Sequence, residues 1–588
     1  MENNKNLEHK RHTLAHLLAQ AVVEQYPNAK LTLGPAVDNG FYYDIDFCGE
    51  KINDTNLPKI EKSMRKNLSK WKEFNHEEVS VEKAKKFFNG NEYKLELIDE
   101  IVSKKEIITL YACGGFTDLC RGGHTENPAK EIDSDSFKLD RVAGAYWRGD
   151  EKNPMVIRIY GLAFNTKTEL EKYILEREEA EKRDHRKLGK ELDLFTFSPL
   201  IGSGLPLWTP KGTILRDLLG NFVFELRAKH GYEKVDIPHI TKKALYEKSG
   251  HWEKFQNDLF KVSTREGHGY VLKPMNCPHH TQIYARKQWS YRELPQRYAS
   301  TTKVYRDEQS GELAGLSRVL SITQDDAHVF CRSTQVKAEM SKIWDIIVTF
   351  YGVVGFTLVP RLSIHDPKQM EKYLGTEESW QNSERELREL VDEKKFTGLT
   401  IEAIGEAAFY GPKIDFMAKD SLGREWQVAT IQLDSNMPER FDLDCINEKS
   451  EKERVVMIHA AIMGSIERYL SILIEHLAGC FPLWLSPVQV SIVPVLVENH
   501  LEYAKKVLVN LHGAGIRAEI NSGKDSLGKR INHAKAQKTP CVIVIGDKEV
   551  ASEALTVEKR SGEKLENIPL EQLIANLKSA VEQKKENI

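Results

Sequence analysis

Three groups of residues in this chain are of types that do chemistry at the spacings they hold. The first is Arg306-Asp307-Glu308, which ends the apolar, β-prone run from Tyr298 to Tyr305 and opens a Gly-rich polar loop closing at Arg318-Val319-Leu320. A strand–loop–strand hairpin with an arginine at each end can grip a triphosphate from two directions. The planar guanidinium matches phosphate oxygens, and the glutamate between can accept from an exocyclic amine. The second group is Cys277 and His328, which flank the hairpin in sequence and are ligand types that zinc prefers. The third lies near the N-terminus. His12 and His16 stand at i and i+4 in a run of helical apolar spacing, Arg11 to Val23, and so share a face. Cys120-Arg-Gly-Gly-His124 follows later, and the two pairs together meet the residue requirement of a zinc site. Satisfied surface histidines are the plain alternative, which fits either pair better than both.

Several domains must hold these residues, because 588 residues exceed what one core supports. With 29% charged residues and a net charge of −3, the composition excludes the strongly basic profile of a constitutive DNA binder, while a local basic face for RNA stays compatible. No apolar run approaches a membrane span, and the opening MENNKNLEHK lacks a secretory apolar core. Eight scattered cysteines do not read as a disulfide framework. The expectation is a soluble cytoplasmic protein with no membrane or DNA partner. Four segments are expected: a first block over 1–164, a highly charged linker helix over 165–190, a large block over 191–481, and a last block over 485–588. The large block holds an amphipathic helix from Leu215 to His230 leading through Gly231–Pro238 into a strand. In the last block, strand runs at Val488–Val495 and Cys541–Gly546 alternate with helical patterns at Leu501–Leu511 and Leu527–Gln537, an α/β module. No dinucleotide or Walker-type glycine loop occurs.

Arg306-x-Glu308 followed by Arg318 resembles motif 2 of the class II aminoacyl-tRNA synthetases. Lys273-Pro-Met-Asn-Cys277-Pro and Thr323-Gln-Asp-Asp-Ala-His328 resemble the threonyl-tRNA synthetase family, and Met457-Ile-His459 through Gly464–Arg468 resembles the class motif 3 with that family's last zinc ligand just ahead of it. The likeness runs from about Lys10 to Val550. It implies an α+β multidomain fold: an antiparallel-sheet class II core, an N-terminal α+β editing domain and a C-terminal α/β anticodon-binding domain. The helix after Leu215 would be motif 1, the interface of a homodimer. The implied activity joins L-threonine to tRNA(Thr) with ATP and Mg2+, with one Zn2+ per subunit held by Cys277, His328 and His459. Three protein ligands leave a position open for substrate. Arg306 would hold the α-phosphate, Glu308 the adenine amine, Arg318 and Arg468 the γ-phosphate, and Gln427 would lie near magnesium and the phosphates. Asp326 would accept from the threonine amine, with Gln324, Tyr410 and Gln432 lining its site, Met275 and Thr430 as walls, and Lys413 meeting the carboxylate. His251 would assist the terminal ribose during transfer. In the last block Glu549 would contact the anticodon, while Lys524 and Glu558 stand where the family often shows other residues. His279, Ile322 and Ala460 also depart from the family, and Ile322 replaces a ring that commonly stacks on adenine.

The same resemblance gathers His12, His16, Tyr43, Lys94, Asp118, Cys120 and His124 into an editing pocket that hydrolyses seryl-tRNA(Thr). In this family the pocket is read as metal-free, with His and Cys positioning a water, whereas alanyl-type editing domains bind zinc with the equivalent set; the metal-free reading is preferred. The physical need is plain: serine lacks only a methyl of threonine, worth about 1–3 kcal/mol in a pocket, so a second sieve is required. The expected form lacks the ubiquitin-like domain that commonly precedes this one. A seryl or prolyl relative fits less well, because the Cys–His–His set coexists with the editing set. A non-catalytic paralogue would have lost motif arginines that are present, and a bare metal hydrolase leaves motifs 2 and 3 unexplained.

Overall fold

The computed structural model describes residues 2–394 and 401–588. The chain packs as two compact units, Met1–Glu178 and Glu179–Ile588. In the first, helix α1 (Glu2–Gln25) buries Leu14, Leu17, Leu18, Ala21 and Val22 against Phe41, Tyr43 and Ile45 of strand β1 (Gly40–Asp46). Helix α2 (Glu92–Ser103) starts at Asn91, whose side chain caps the Lys94 amide. Strand β2 (Phe116–Leu119) leads into the Cys120 loop. Strands β3 (Phe137–Tyr146) and β4 (Met155–Ala163) complete an antiparallel sheet with β1 in the order β1-β4-β3.

The charged stretch expected as one linker helix is two, Lys167–Arg183 and then α3 (His185–Glu191). The break falls at Asp184, whose backbone leaves the helical region (φ −48°, ψ 121°) and whose carboxylate accepts the Arg186 N–H at 2.7 Å. A short carboxylate favours such a cap over a helix interior. Helix α4 (Pro210–Ala228) starts earlier than its apolar pattern suggests, because Thr209 caps it and Pro210 opens its first turn.

The second unit is built on an eight-stranded sheet. Helix α5 (Cys277–Tyr284) precedes strands β5 (Gln296–Tyr305), β6 (Ser321–Cys331), β7 (Thr357–Ile364), β8 (Lys413–Lys419), β9 (Glu425–Asp434) and β10 (Val456–Ser465). These six pair antiparallel in the order β5-β6-β10-β9-β8-β7, and short parallel strands, Glu233–Lys234 and Ile401–Ile404, close the two edges. Helix α6 (Ile466–His476) leaves β10 directly and packs its Ile466, Leu470 and Leu473 into the core beside α4 and the sheet. This is the antiparallel architecture expected for the block. The last segment is a five-stranded sheet in which Ala518–Ile520, β11 (Val490–Pro494) and β12 (Cys541–Ile545) run parallel and two hairpin strands follow antiparallel, closed by helix α7 (Leu570–Glu582).

Register decides which side chains meet. Residues directly opposite on neighbouring strands share a face, and the pairing runs His328 to His459, His459 to Gln432, and Gln432 to Lys413. One row therefore crosses β6, β10, β9 and β8. Among the described residues no helix is long and apolar enough to cross a membrane, and all eight cysteines are free thiols.

Candidate functional site

Cys277, His328 and His459 are buried, and their donor atoms all lie within 4.8 Å of one another. Adjacent strands bring the two histidines together, and the first residue of α5 brings the thiol. His328 Nε2 and His459 Nδ1 face each other at 3.1 Å. The far nitrogen of each ring is held: His459 Nε2 by Asp434 Oδ2 at 3.0 Å, and His328 Nδ1 by His280 Nδ1 at 2.7 Å, with His280 in turn against Ser300 Oγ. A carboxylate can only accept, so His459 Nε2 carries the proton and Nδ1 turns its lone pair inward. Burial, with His459 adding to it, holds the His328 imidazole well below its ordinary value. Two inward nitrogens and a thiol, with an outer carboxylate fixing one ring, fit a zinc ion. Burial, reinforced by Asp326 and Asp434 and opposed by Arg306, pushes the Cys277 thiol well up.

Polar groups of the amino-acid type surround this cluster. Tyr410 stacks on His459 with ring centroids 4.9 Å apart and donates to Gln432 Oε1 at 2.5 Å, while Gln432 donates to Thr430 Oγ1. Asp326 accepts from Asn276 at 3.1 Å and lies 3.8 Å from His328. Lys413 pairs with the buried Asp415 at 2.9 Å. His251 is wholly buried, its Nε2 3.2 Å from Met275 Sδ and 3.7 Å from Cys277 Sγ, and burial with nearby His459 and Arg306 brings it down to about 3.

Next to it a cleft of about 220 Å³ is lined by Arg306, Ile322, Gln324, Gln427, Thr430 and Arg468. Arg306 Nε and Gln324 Oε1 are buried and find no hydrogen-bond partner among the described residues, which suits a polar ligand in the cleft. Arg318 is exposed on the hairpin and paired with Glu308 at 2.6 Å and Glu312 at 2.9 Å. Glu308 is thus engaged by the second arginine of its own hairpin. In the last segment Glu549 accepts from Gly546 N and Thr556 Oγ1, both at 3.0 Å, so both its oxygens are in use within the fold. Glu558 pairs with Lys535, and Lys524 is exposed.

In the first unit the structure joins all seven residues singled out there. Asp118 is buried and receives Lys94 and the Tyr43 hydroxyl, each at 2.5 Å, and His16 Nδ1 at 3.2 Å. His16 Nε2 reaches His12 Nε2 at 3.2 Å, and Cys120 Sγ lies 3.5 Å from His12 and 3.4 Å from His124. Burial works against every charge here, yet hydrogen bonds reverse it. Asp118 and Cys120 raise His16 to about 9, and hydrogen bonds from His12, His124 and His16 bring the Cys120 thiol down to about 3. Both shifts favour the charged forms, a thiolate beside an imidazolium. Phe74 stacks on His124 at 4.0 Å between centroids.

Sequence reasoning missed Asp434, His280, Asp415, Phe74 and Arg361, which donates from β7 to Gln427 Oε1 at 3.2 Å and to Asp415 at 3.3 Å. Asp434 continues the alternation Thr430, Gln432 on β9, and Asp415 stands two residues from Lys413 on β8, both of them signals; His280, Arg361 and Phe74 act on residues of other elements that no spacing connects.

The profile described as tRNA synthetase class II core domain (G, H, P, S and T) matches residues 260–477, that of the anticodon binding domain matches 489–580, and that of the threonyl and alanyl tRNA synthetase second additional domain matches 108–160. The threonine–tRNA ligase of Flavobacterium psychrophilum is 46% identical over 560 residues, 95% of this chain and 85% of that protein. That of Deinococcus radiodurans is 47% identical over 563 residues, covering 94% and 85%. Among solved structures, the RNA binding domain of threonyl-tRNA synthetase from Cryptosporidium parvum is 35% identical with a TM-score of 0.64, over 67% of this chain and 98% of that one. Likeness at this identity over nearly the whole chain, with the paired histidines, the arginine hairpin and the Cys120–histidine pocket in one molecule, places the chain in the threonine–tRNA ligase family.

Proposed function

We propose that this protein activates L-threonine with ATP, transfers the threonyl group to tRNA(Thr), and hydrolyses seryl-tRNA(Thr). The observation that carries the reading is the His328–His459 pair beside Cys277, on the sheet face that also bears Asp326, Gln432 and Lys413 and opens into the Arg306 cleft. Cys277, His328 and His459 would hold Zn2+, which when bound supplies a Lewis acid that takes the amino and hydroxyl groups of threonine. Asp326 orients the ammonium group, Tyr410, Gln432, Gln324 and Thr430 enclose the side chain with Met275, and Lys413 steers the carboxylate. A carboxylate oxygen then attacks the α-phosphorus of ATP, the bond to the bridging oxygen breaks, and pyrophosphate leaves; Mg2+ bound with ATP would supply charge neutralisation on the phosphates. Arg306 neutralises charge at the α-phosphate as it develops, while Arg318, released from Glu308, joins Arg468 at the γ-phosphate, Glu308 turns to the adenine amine and Gln427 serves the phosphate side. In the second step a ribose hydroxyl of the tRNA attacks the carbonyl, AMP departs, and His251 assists at the ribose. Valine matches threonine in shape but offers no oxygen, so a site built for a hydroxyl rejects it strongly.

Serine keeps the hydroxyl and is handled by the first unit, where the Cys120 thiolate, His16 and His124 position water at the ester without a metal. Four segments divide the work: editing over 1–164, a linker over 165–190, synthesis over 191–481 and anticodon binding over 485–588, with Glu549 as a contact once its internal bonds exchange. The enzyme acts in the cytoplasm as a homodimer across α4, which light scattering of the purified protein would check. The decisive experiment is ATP–pyrophosphate exchange with threonine, serine or valine, each with and without a chelator. Exchange strong with threonine, weaker with serine, absent with valine and lost on chelation is expected. No exchange with any of them on folded, zinc-replete protein would overturn the reading.

A further inference from the structure

One buried histidine with no role so far ties three distant segments together at the arginine hairpin. His185 opens α3 and is 6% exposed. Its Nδ1 lies 2.7 Å from Glu475 Oε1, and its backbone N–H donates to the same oxygen at 3.1 Å. Its Nε2 takes the backbone N–H of Leu316 at 3.1 Å. A backbone amide only donates, so Nε2 holds the lone pair and Nδ1 carries the proton to the carboxylate; the ring is in one defined tautomer. Glu475 sits on α6, the helix that also carries Arg468, and its second oxygen receives Arg424 at 2.5 Å, which Asp420 holds at 2.7 Å. Leu316 is wholly buried, and beside it Ser317 Oγ meets Ser471 Oγ of α6 at 3.0 Å. Arg318 is the next residue. The turn comes so close to the ring that position 315 must be glycine: its φ is +53°, and a Cβ there would be driven into His185 Nε2.

Asp184, His185 and Glu475 also group like metal ligands. Both ring nitrogens of His185 are already engaged, however, and the Asp184 carboxylate is taken by the Arg186 amide and guanidinium. The imidazole has no lone pair left to face an ion, so the grouping reads as a brace.

We propose that His185 is a positioning residue for nucleotide binding. It pins the Gly315–Arg318 turn to α6, so that Arg318 and Arg468 are presented to the polyphosphate from one connected support. The inference rests on the proposed function for its nucleotide, whereas the brace itself can be read without any activity. A merely structural role, fastening α3 to α6, would need the Glu475 contact and not the Leu316 contact, and two substitutions separate these. Glutamine places an oxygen where Nε2 stands and keeps an acceptor for Leu316; asparagine keeps a donor at the Nδ1 level and leaves the Leu316 amide unpaired.

The expected result is that His185→Asn raises the KM for ATP in pyrophosphate exchange by roughly tenfold, the scale of one buried donor left unmade, with the KM for threonine unchanged, while His185→Gln stays within about twofold of the parent. Hydrogen exchange at residues 313–318 should accelerate by a similar factor in His185→Asn alone. Equal effects of the two variants on ATP, or an ATP KM and an exchange rate both unmoved in His185→Asn, would overturn the proposal. So would a Leu316 amide that exchanges in the parent as fast as an exposed one, a result that needs no variant to fold. If the parent shows no pyrophosphate exchange at all, the proposed function fails, and the hydrogen-exchange comparison still decides whether His185 braces the hairpin.

Discussion

Asp434→Asn should loosen zinc by switching a tautomer while leaving the fold nearly intact. Asp434 is fully buried at the end of β9 and uses its two oxygens differently. Oδ1 accepts the Asn436 and Met437 amides at 2.8 and 2.9 Å, and Oδ2 accepts from His459 Nε2 at 3.0 Å. An asparagine here has one oxygen and one NH2 to satisfy the same three donors. Turning the NH2 toward the two amides would lose two hydrogen bonds of about 1 kcal/mol each and set donor against donor, about 1–3 kcal/mol more. Keeping the oxygen on the amides costs only the His459 bond in its present sense, and that bond is restored if the imidazole moves its proton from Nε2 to Nδ1. The second arrangement wins by at least about 2 kcal/mol on these figures. It turns an N–H, in place of a lone pair, toward His328 Nε2 and the thiol. Loss of such an outer partner typically weakens a metal site about 10- to 100-fold, or about 1.4–2.7 kcal/mol. Competition against a chromophoric chelator reads this directly, with the thermal midpoint as a control for folding. A variant as stable as the parent that binds zinc just as tightly would refute the tautomer argument.

The other predictions are independent of that one. In the first unit, His16 is raised from 6.5 to about 9, so its stabilisation is complete below pH 6.5 and is lost as pH rises through 9; Cys120 is depressed from 9.0 to about 3, so its contribution is complete above pH 9 and is lost as pH falls through 3. Between pH 6.5 and 9 folded and unfolded forms hold the same number of protons on this pair, whose contribution is flat; Cys120→Ser removes the compensating thiol and one of the two groups that raise His16, so stability should decline with pH from 6.5 up to the lowered His16 value, at about 1.4 kcal/mol per pH unit, and parallel profiles in denaturant titrations would count against the thiolate–imidazolium pair. Asp118→Asn leaves buried Lys94 without its carboxylate and should cost about 3–5 kcal/mol, seen as an early transition in the first unit by differential scanning calorimetry; a shift too small to measure would mean Lys94 finds water instead. Ile322→Phe adds a ring to the cleft and should lower the ATP KM about 2- to 10-fold through stacking on adenine, and an unchanged KM would show that the base lies elsewhere. Gly411→Ala drives a methyl into the Leu433 carbonyl beside Tyr410 and should abolish threonine binding by calorimetry with seryl-tRNA hydrolysis retained; normal threonine affinity would mean the strand edge yields.

Strand β6 shows what the sequence could disclose and what it could not. Ile322, Gln324, Asp326 and His328 stand at a period of two, so one face of one strand is legible once a strand is granted, and the same holds for Thr430 and Gln432 on β9. Which strands lie beside them is not legible, because β6 and β10 pair across more than a hundred residues of chain, and only that register sets His328 opposite His459. The outer partners are harder still: Asp434 is marked only by continuing the Thr430, Gln432 alternation, and nothing around His280 shows that it acts on the ring of another element. For the linker, charge pattern alone favours one continuous helix, and the competing tendency of Asp184 to cap decides otherwise.

The Asp325-Asp326 pair goes further. Adjacent aspartates are poor strand formers, and alternation must send them to opposite faces. Asp326 goes to the candidate site. Asp325 goes into the core, where it is wholly buried and accepts the Ile462 and Met463 amides at 2.9 and 3.2 Å, with Arg227 at 3.4 Å. Those amides are available because the β6–β10 register shifts between Asp325 and Ala327. The bulge that disrupts the ladder is therefore what keeps a charged residue in the middle of a sheet. Asp326, two residues before His328 on the same face of β6, supplies the acceptor beside it. Local preference is overruled here by a long-range arrangement, and in the strand where the site is built.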